Sequence, residues 1–532
     1  MARLLPRSFY AELAAIVGEA NLSEDDHVVA SHDWFGLGAD PTSRTLLGKP
    51  PGAVVMPGST EEVAAVIKAC NRHGVKFKAH STGYGNYAGV GTLGSVSIDL
   101  RRMNRMEIDP TNRMAVIEPY VTAGQLMSEA LKHHLMCHII GAGPIHSPLA
   151  SATSFAGMGV PANHTSNNSR NLLSAEWVTP EGEIVRIGSA GSGDVSSAGW
   201  YAGDGPGPGF RGMLRGVFGA TGGLGVFTRI GYKLYPWAGP AKLEWTGAHP
   251  QRGLRLPEHF ACHQVAWERW EHAAEGTHHL FQSKCVTLIA RTPPSGIASM
   301  LSPTNRDHYQ AYSSARLPEV ATDDAGKGWS LMLMAWSADE LAWKEAVLAA
   351  ILLRTQGRKV VMAPEHAGVM AASLVTSLYV ARFCRMGTAA GVSLGILDSA
   401  ALLPKAIQYA SEAIGDETRP GGSMLESAPD HNWMWTNEGR HFWTENNPVG
   451  NRFSRRSLGS VVEFVLYTIF KAERAPLGIT FFQMGMGDLF GPKLGHAQRW
   501  MRRVKTTWDP KNLSDSKTFI GPQPDAAAKV WP

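Results

Sequence analysis

The chain has 532 residues, 44% of them hydrophobic, which is enough for two or three domains around a sizeable core. A formal net charge of +4 with 18% charged residues lacks the concentrated basic face of a nucleic-acid binder, so no nucleic-acid partner is expected. Five scattered cysteines without a C-x-x-C pattern argue against a disulfide framework, an iron–sulfur cluster or a structural zinc, and no apolar run approaches the roughly 18 to 20 residues that cross a bilayer.

In chain order, Glu12 interrupts the first apolar run, while Leu13, Ile16 and Val17 keep helical spacing. An amphipathic helix of the mature protein is expected there rather than a leader, and a cytoplasmic location with it. Ala53 to Met56 reads as a short strand closed by Pro57-Gly58. Ser59-Thr60-Glu61-Glu62 is a capping box for a helix that buries Val63, Val66, Ile67 and Cys70 and stops at Gly74. Val75 to Lys78 alternates as a strand and delivers the chain into His80-Ser81-Thr82-Gly83-Tyr84-Gly85-Asn86. Glycines there permit positive φ and close approach, and the hydroxyls and amide N–H groups suit a pyrophosphate, although a plain surface turn has the same composition.

Ser95 to Leu100 and Met114 to Glu118 read as strands, and Thr122 to His133 as a capped helix. Paired strands between helices differ from simple parallel alternation, and no G-x-G-x-x-G follows a first strand, so a Rossmann sheet is unsupported. Gly141-Ala142-Gly143-Pro144 and Ser151 to Gly159 form a second small-residue tract, and Thr221-Gly222-Gly223-Leu224-Gly225-Val226 a third. Between them Ala175 to Thr179 and Glu183 to Ile187 flank Pro180-Glu181-Gly182 as a hairpin. Such tracts can converge on one long ligand. Pro236 to Pro240 marks a boundary, after which long helices (Asp339 to Arg354, Pro404 to Ile414) and many tryptophans indicate a second α+β domain, followed by a helix from Leu494 to Trp508.

The order of these features resembles the flavoprotein superfamily of vanillyl-alcohol oxidase and p-cresol methylhydroxylase (PCMH). The residues that carry the likeness are Pro57-Gly58-Ser59-Thr60-Glu61-Glu62-Val63, Ser81 to Gly85, Ile98 to Asn104, Ile117-Glu118-Pro119, Glu176-Trp177-Val178, Gly222 to Thr228 and Trp508 to Leu513. The resemblance implies an α+β chain with a two-subdomain PCMH-type FAD-binding domain over residues 1–238. It adds an α+β cap domain with an antiparallel sheet over 239–490, and a segment, 491–532, that returns to the FAD domain. The implied cofactor is FAD, held by Pro57, His80 to Asn86, Gly141, Ser151, Ser154, Gly157, Gly225 and Val226, with Glu176, Ile184 and Lys517 placed by analogy. Histidines at the position of His80 tether flavin covalently in some relatives, but Lys78-Ala79 departs from the glycines that precede them.

The expected activity is hydride transfer from a C–H of an aromatic or otherwise bulky alcohol or hydroxy acid to flavin N5. Candidate catalytic residues are His164 and Asp398 as bases, Arg382 (with Arg385) as a carboxylate clamp, and His431 and His441 beside tryptophans as pocket walls. Each has a structural alternative: a hydrogen-bonded loop histidine, a turn cap, a surface arginine, a packed core. The acidic residue of the phenol-oxidising relatives is replaced by Asn167, and the His-rich metal-associated segment of the hydroxy-acid relatives has no counterpart, which weakens both substrate assignments; His272, His278 and His279 lack a ligand spacing, so no metal is expected. An electron-accepting protein partner and a homo-oligomer are expected. A flavin-bearing subunit of a larger complex, or a non-redox flavoenzyme, is the alternative.

Overall fold

The computed structural model describes residues 4–32, 51–83, 89–90, 92–141, 143–155, 157–191, 203–205, 219–248, 251–291, 300–304, 306–307, 310, 327–377, 388–390, 393–397, 399–414, 432–439, 441–446, 449–451, 454–457, 459–460, 463, 479–482, 496–515 and 519–522. Within them the chain is α+β, with mixed and antiparallel sheets.

The first helix, α1 (Arg7–Val17), buries Phe9, Leu13 and Val17. Strand β1 (Leu22–Ser23) and helix α2 (Asp26–Ser31) precede β2 (Ala53–Val55), and α3 (Thr60–His73) connects β2 to β3 (Phe77–His80). Ser59 caps α3 by accepting Glu62 N at 3.2 Å, but Glu62 Oε2 accepts Gly58 N at 2.7 Å instead of the Ser59 amide. The expected box is therefore open by one residue. Gly74, in the left-handed region, ends α3, and Val75 N returns to Cys70 O; this holds Val75 out of the sheet, so β3 begins at Phe77 and runs to His80. With β4 (Val96–Asp99) these strands form a sheet in the order β1-β2-β4-β3, where β2 and β3 both run parallel to β4. The carboxyl ends of β3 and β4 thus open side by side.

The second sheet is antiparallel throughout. It contains β5 (Met106–Asp109), β6 (Met114–Ile117), β8 (Leu172–Val178), β9 (Ile184–Ile187) and β10 (Val226–Lys233) in the order β5-β6-β10-β8-β9. Helix α4 (Ala123–Leu131) has a complete capping box between Thr122 and Gln125, and β7 (Leu135–Met136) pairs with Tyr235–Pro236. The hairpin register sets Val178 opposite Ile184. Trp177, fully buried, stacks on Phe227 at 5.5 Å and tilts against Trp508 of the helix His496–Trp508 at 5.0 Å. That tail continues onto the first sheet: Phe77 N donates to Leu513 O and Asp515 N to Phe77 O.

Beyond residue 240 one antiparallel sheet is ordered Leu288–Ala290, Gly328–Met334, Phe260–Trp267, Gly357–Val360. A second is ordered Asn432–Asn437, His441–Asn446, Ser393–Leu397, Ile479–Phe482. No helix among the described residues is long and apolar enough to cross a membrane.

Candidate cofactor and active site

Three glycine-rich tracts far apart in sequence meet in space. The first follows β3, where Gly83 takes φ +72° with its Cα packed on the His80 ring: a Cβ there would lie 2.8 Å from His80 Nε2. The third reaches β3 through Gly222, whose missing Cβ would stand 3.0 Å from the Lys78 side chain. The third also joins the second, since Gly219 N and Thr221 N donate to Ser154 O and Ala220 N to Thr153 O. The tail locks the third tract from outside: Ser514 Oγ donates to Gly222 O at 2.8 Å and accepts Gly225 N at 2.9 Å, while Lys505 Nζ donates to Gly223 O at 2.7 Å.

A polar cluster supports the first tract from below. His32, after α2, has Nε2 2.8 Å from Asp99 Oδ2 and Nδ1 2.9 Å from Val28 O, and its ring lies 4.6 Å from that of His80. Arg101 Nε donates to the same Asp99 oxygen at 2.9 Å. Burial alone would raise the Asp99 pKa, but the hydrogen bonds from His32 and Arg101 and the charge of His80 outweigh it and bring the carboxyl down to about 2. Ligand atoms of His32, His80 and Asp99 lie within 4.8 Å of one another, a spacing open to a metal ion. In this structure the Arg101 guanidinium already stands on the carboxylate.

The second tract runs between α5 (Pro148–Thr153) and α6 (Ala162–Thr165) and borders strands and turns from beyond residue 240. Asn163 Nδ2 donates to Val286 O at 2.9 Å, Ile289 N to Val160 O at 3.1 Å, and Glu438 N to Ala162 O at 3.2 Å. Phe155 meets Trp443 edge to face at 6.1 Å. His164 sits at this junction, tilted over Tyr235 at 5.6 Å. Its ring is partly open to solvent, yet neighbouring atoms desolvate it, and with the charges of Lys284, Lys344 and Lys233 they lower its pKa.

Of the residues expected at the cofactor, Pro57, Ser81, Thr82, Gly83, His80, Gly141, Ser151, Ser154, Gly157, Gly225 and Val226 lie on these tracts or their flanking strands. Ser151 Oγ is hydrogen-bonded to Asn168 Nδ2. Glu176 is instead buried inside the second sheet, where it accepts Thr60 Oγ1 at 2.7 Å and Arg186 Nε at 2.9 Å and so ties β8 to the start of α3 and to β9. Ile184 lies on edge strand β9 and is 39% exposed. Tyr84, Gly85, Asn86, Arg382, Asp398, His431 and Lys517 fall outside the described residues, and for His441 only the strand backbone is described. Asn167 caps a 3-10 turn, with Oδ1 accepting Ser169 N at 3.1 Å.

Sequence reasoning passed over His138 and His146. Both are buried, and each has an Nε2 atom with no hydrogen-bond partner among the described residues. The available signal was a histidine inside the apolar run Met136-Cys137-His138-Ile139-Ile140.

The glycine tracts and the hydroxyls of Ser81 and Thr82 together fit a long ligand that carries phosphate oxygens. This defines an FAD-binding protein: residues 51–188 match the family described as an FAD binding domain, and FAD is the cofactor. Beyond that domain the chain is similar to proteins of the p-cresol methylhydroxylase type. Its fold is that of p-cresol methylhydroxylase with substrate bound, at a TM-score of 0.72 and 15% identity over 97% of each chain. It is 27% identical over 292 residues to the flavoprotein subunit of 4-cresol dehydrogenase (hydroxylating) of Pseudomonas putida, covering 50% of this chain and 52% of that one. It is 28% identical over 232 residues to an uncharacterised FAD-linked oxidoreductase of Mycobacterium tuberculosis, covering 42% and 45%. The chain thus spans about half the length of these curated relatives.

Proposed function

We propose that the chain is an FAD-dependent oxidoreductase that takes a hydride from a C–H of an aromatic or otherwise bulky alcohol or hydroxy acid. The observation that carries this reading is the junction at the second glycine tract, where Phe155 meets Trp443; His164, on α6 of the same tract, packs against Tyr235. FAD, when bound, supplies the hydride acceptor. The chain's own residues would bind, dry and orient the substrate. Phe155, only partly buried, would offer an apolar face to a ring, and the buried Trp443 would back it. His164, held neutral near pH 7 by desolvation and three lysines, is an acceptor for the substrate's hydroxyl proton. The same positive field favours an anionic substrate, a phenolate or a carboxylate. By analogy with a relative named as a flavoprotein subunit, the electrons would pass to a partner protein; a homo-oligomer in the cytoplasm completes the proposal.

The test is anaerobic mixing of the yellow holoprotein with aromatic alcohols, 4-alkylphenols and aromatic or aliphatic 2-hydroxy acids. Bleaching of the flavin band by an aromatic member is expected. A holoprotein that retains FAD but is reduced only by small aliphatic hydroxy acids would overturn the aromatic reading. One that is reduced by none of these compounds would overturn the activity itself.

A further inference from the structure

Four of the nine large hydrophobic side chains that stand exposed among the described residues lie between Trp336 and Val361, on or beside one helix, Ala338–Arg354. Ser337 caps that helix by accepting Glu340 N at 3.2 Å. Its inward face buries Leu348, Ile351 and Leu352 in one core with Val265, Leu331 and Leu333. A surface helix normally turns its charged residues outward. Here the charges in the middle of the helix are engaged by the protein itself: Lys344 is buried and pairs with Glu340 at 2.8 Å, and Glu345 holds His263 at 2.6 Å together with Lys359. What remains outward between the two ends is Ala342, Trp343, Ala346, Ala349, Ala350 and Leu353, with Trp343 55% and Leu353 83% exposed. Helix propensity alone would account for the alanines. A tryptophan and a leucine on the same stripe make it a contiguous apolar face, which marks an interaction surface.

The two ends of this face carry opposite charge. Asp339 stands exposed in the first turn and Arg354 in the last, and neither has an ion partner among the described residues. Between them Trp343, Ala346, Ala350 and Leu353 recur at intervals of three, four and three residues, the spacing of a coiled-coil seam. Consider two copies of the helix, antiparallel about a two-fold axis near Ala346. The register that sets Asp339 against Arg354 of the second copy also sets Trp343 against Ala350 of the second copy, because both pairs are centred on the same point of the helix. Acid meets base, large meets small, and each contact occurs twice, as a two-fold interface requires. A parallel pairing would instead bring like charges together at both ends. Alanines near the axis let the helices approach to about 8 Å. The face runs about 25 Å along the helix. Trp336, fixed by its N–H donating to Glu340 Oε2 at 2.8 Å, extends it beyond the first turn.

We propose that the exposed face of the helix Ala338–Arg354 docks on the same face of a second copy of this chain, as an antiparallel two-fold pair. The inference rests on the homo-oligomer of the reading above, to which it gives a surface, and is independent of the redox reaction.

Sedimentation velocity of the flavin-loaded, full-length chain measures the association. A dimer is expected at about 100 μM, a concentration suited to the small interface that one helix per copy makes. Asp339→Arg and Arg354→Asp each set like charges against each other twice, and each should weaken the dimer by about tenfold or more. An equimolar mixture of these two variants restores opposite charges at both contacts and should recover the dimer, which non-specific apolar association would not do. Leu353→Arg, at a position outside the core, should also give monomers. Flavin content and thermal melts control for folding. Should Arg354→Asp unfold the last turn, Asp339→Arg and Leu353→Arg carry the test. A wild-type chain that is monomeric at about 100 μM would overturn both the homo-oligomer and its surface, and leave the face to a different protein. A dimer unmoved by Asp339→Arg and Leu353→Arg would overturn the surface alone. A mixture of the two charge variants that stays monomeric would overturn the antiparallel pair.

Discussion

Lys505→Met should loosen the third glycine tract from the tail. Lys505 is fully buried, and its Nζ donates to Gly223 O and Ser514 O at 2.7 Å each while pairing with Asp509. Burial lowers its pKa, and the Asp509 charge opposes that fall. The same carboxylate organises the turn by accepting Leu513 N and Ser514 N at 2.9 Å each. Methionine fills the volume but leaves one buried carboxylate without its cation and removes the donor from two carbonyls. Breaking a buried pair from one side typically costs about 3–5 kcal/mol, far more than removing both charges. Urea titration of the holoprotein, followed by flavin fluorescence as FAD is released, should show the midpoint falling by that equivalent. Asp509→Asn added to Lys505→Met should recover part of the loss, because the asparagine oxygen still accepts the Leu513 amide without a charge. A Lys505→Met midpoint within about 1 kcal/mol of wild type would refute the reasoning. The ion pair would then be incidental to holding Gly223.

Gly225→Ala should cost about 2–4 kcal/mol, because Gly225 has φ +93° and an added Cβ would stand 2.2 Å from Val178 O; thermal melts check it, and an unchanged midpoint would mean that the loop relaxes freely. Acid should weaken the fold in two windows. His138 and His146 have folded pKa values below the unfolded value near 6.5, so the unfolded chain binds more protons and stability falls from about pH 6.5 toward 4 and 3. Urea midpoints measured from pH 7 to 5 should show this slope, and it should flatten in the double variant His138→Leu/His146→Leu. Asp99, whose folded pKa is near 2, contributes stability that is present above about pH 4 and is lost as pH falls through 2. Asp99→Asn should remove about 2 kcal/mol of it at pH 7, read in the same titration.

What the sequence made legible was local. Ser59 and Gly74 bracket α3, and Pro180-Glu181-Gly182 turns β8 into β9, because caps and turns are decided by residues a few positions apart. The capping box at Glu62 missed by one amide, since a glutamate side chain is long enough to reach Gly58 as readily as Ser59. The contacts that assemble the site were not legible. His32 meets Asp99 across 67 residues and Lys505 meets Gly223 across 282, and no periodicity in either segment announces its partner. Glu176 shows the same limit: the motif around it marks the FAD domain, while its carboxylate serves the join between sheet and helix.

The division also explains why cofactor and substrate differ in legibility. FAD is expected at backbone loops at strand ends, and such loops need glycines and small hydroxylic residues in a fixed order, which leaves a written trace. The proposed substrate wall would be met by side chains, as Phe155 meets Trp443 from almost three hundred positions away. Nothing in that wall constrains backbone conformation, so many residues serve and no motif results. The second tract is where the two requirements coincide. Its backbone is tied to both sheets beyond residue 240 through Val160 and Ala162, while its Gly219 and Thr221 contacts face the third tract. A displacement of α6 would therefore move His164 relative to the sheets beyond residue 240, and the hydrogen bonds from Ile289 and Glu438 hold that position.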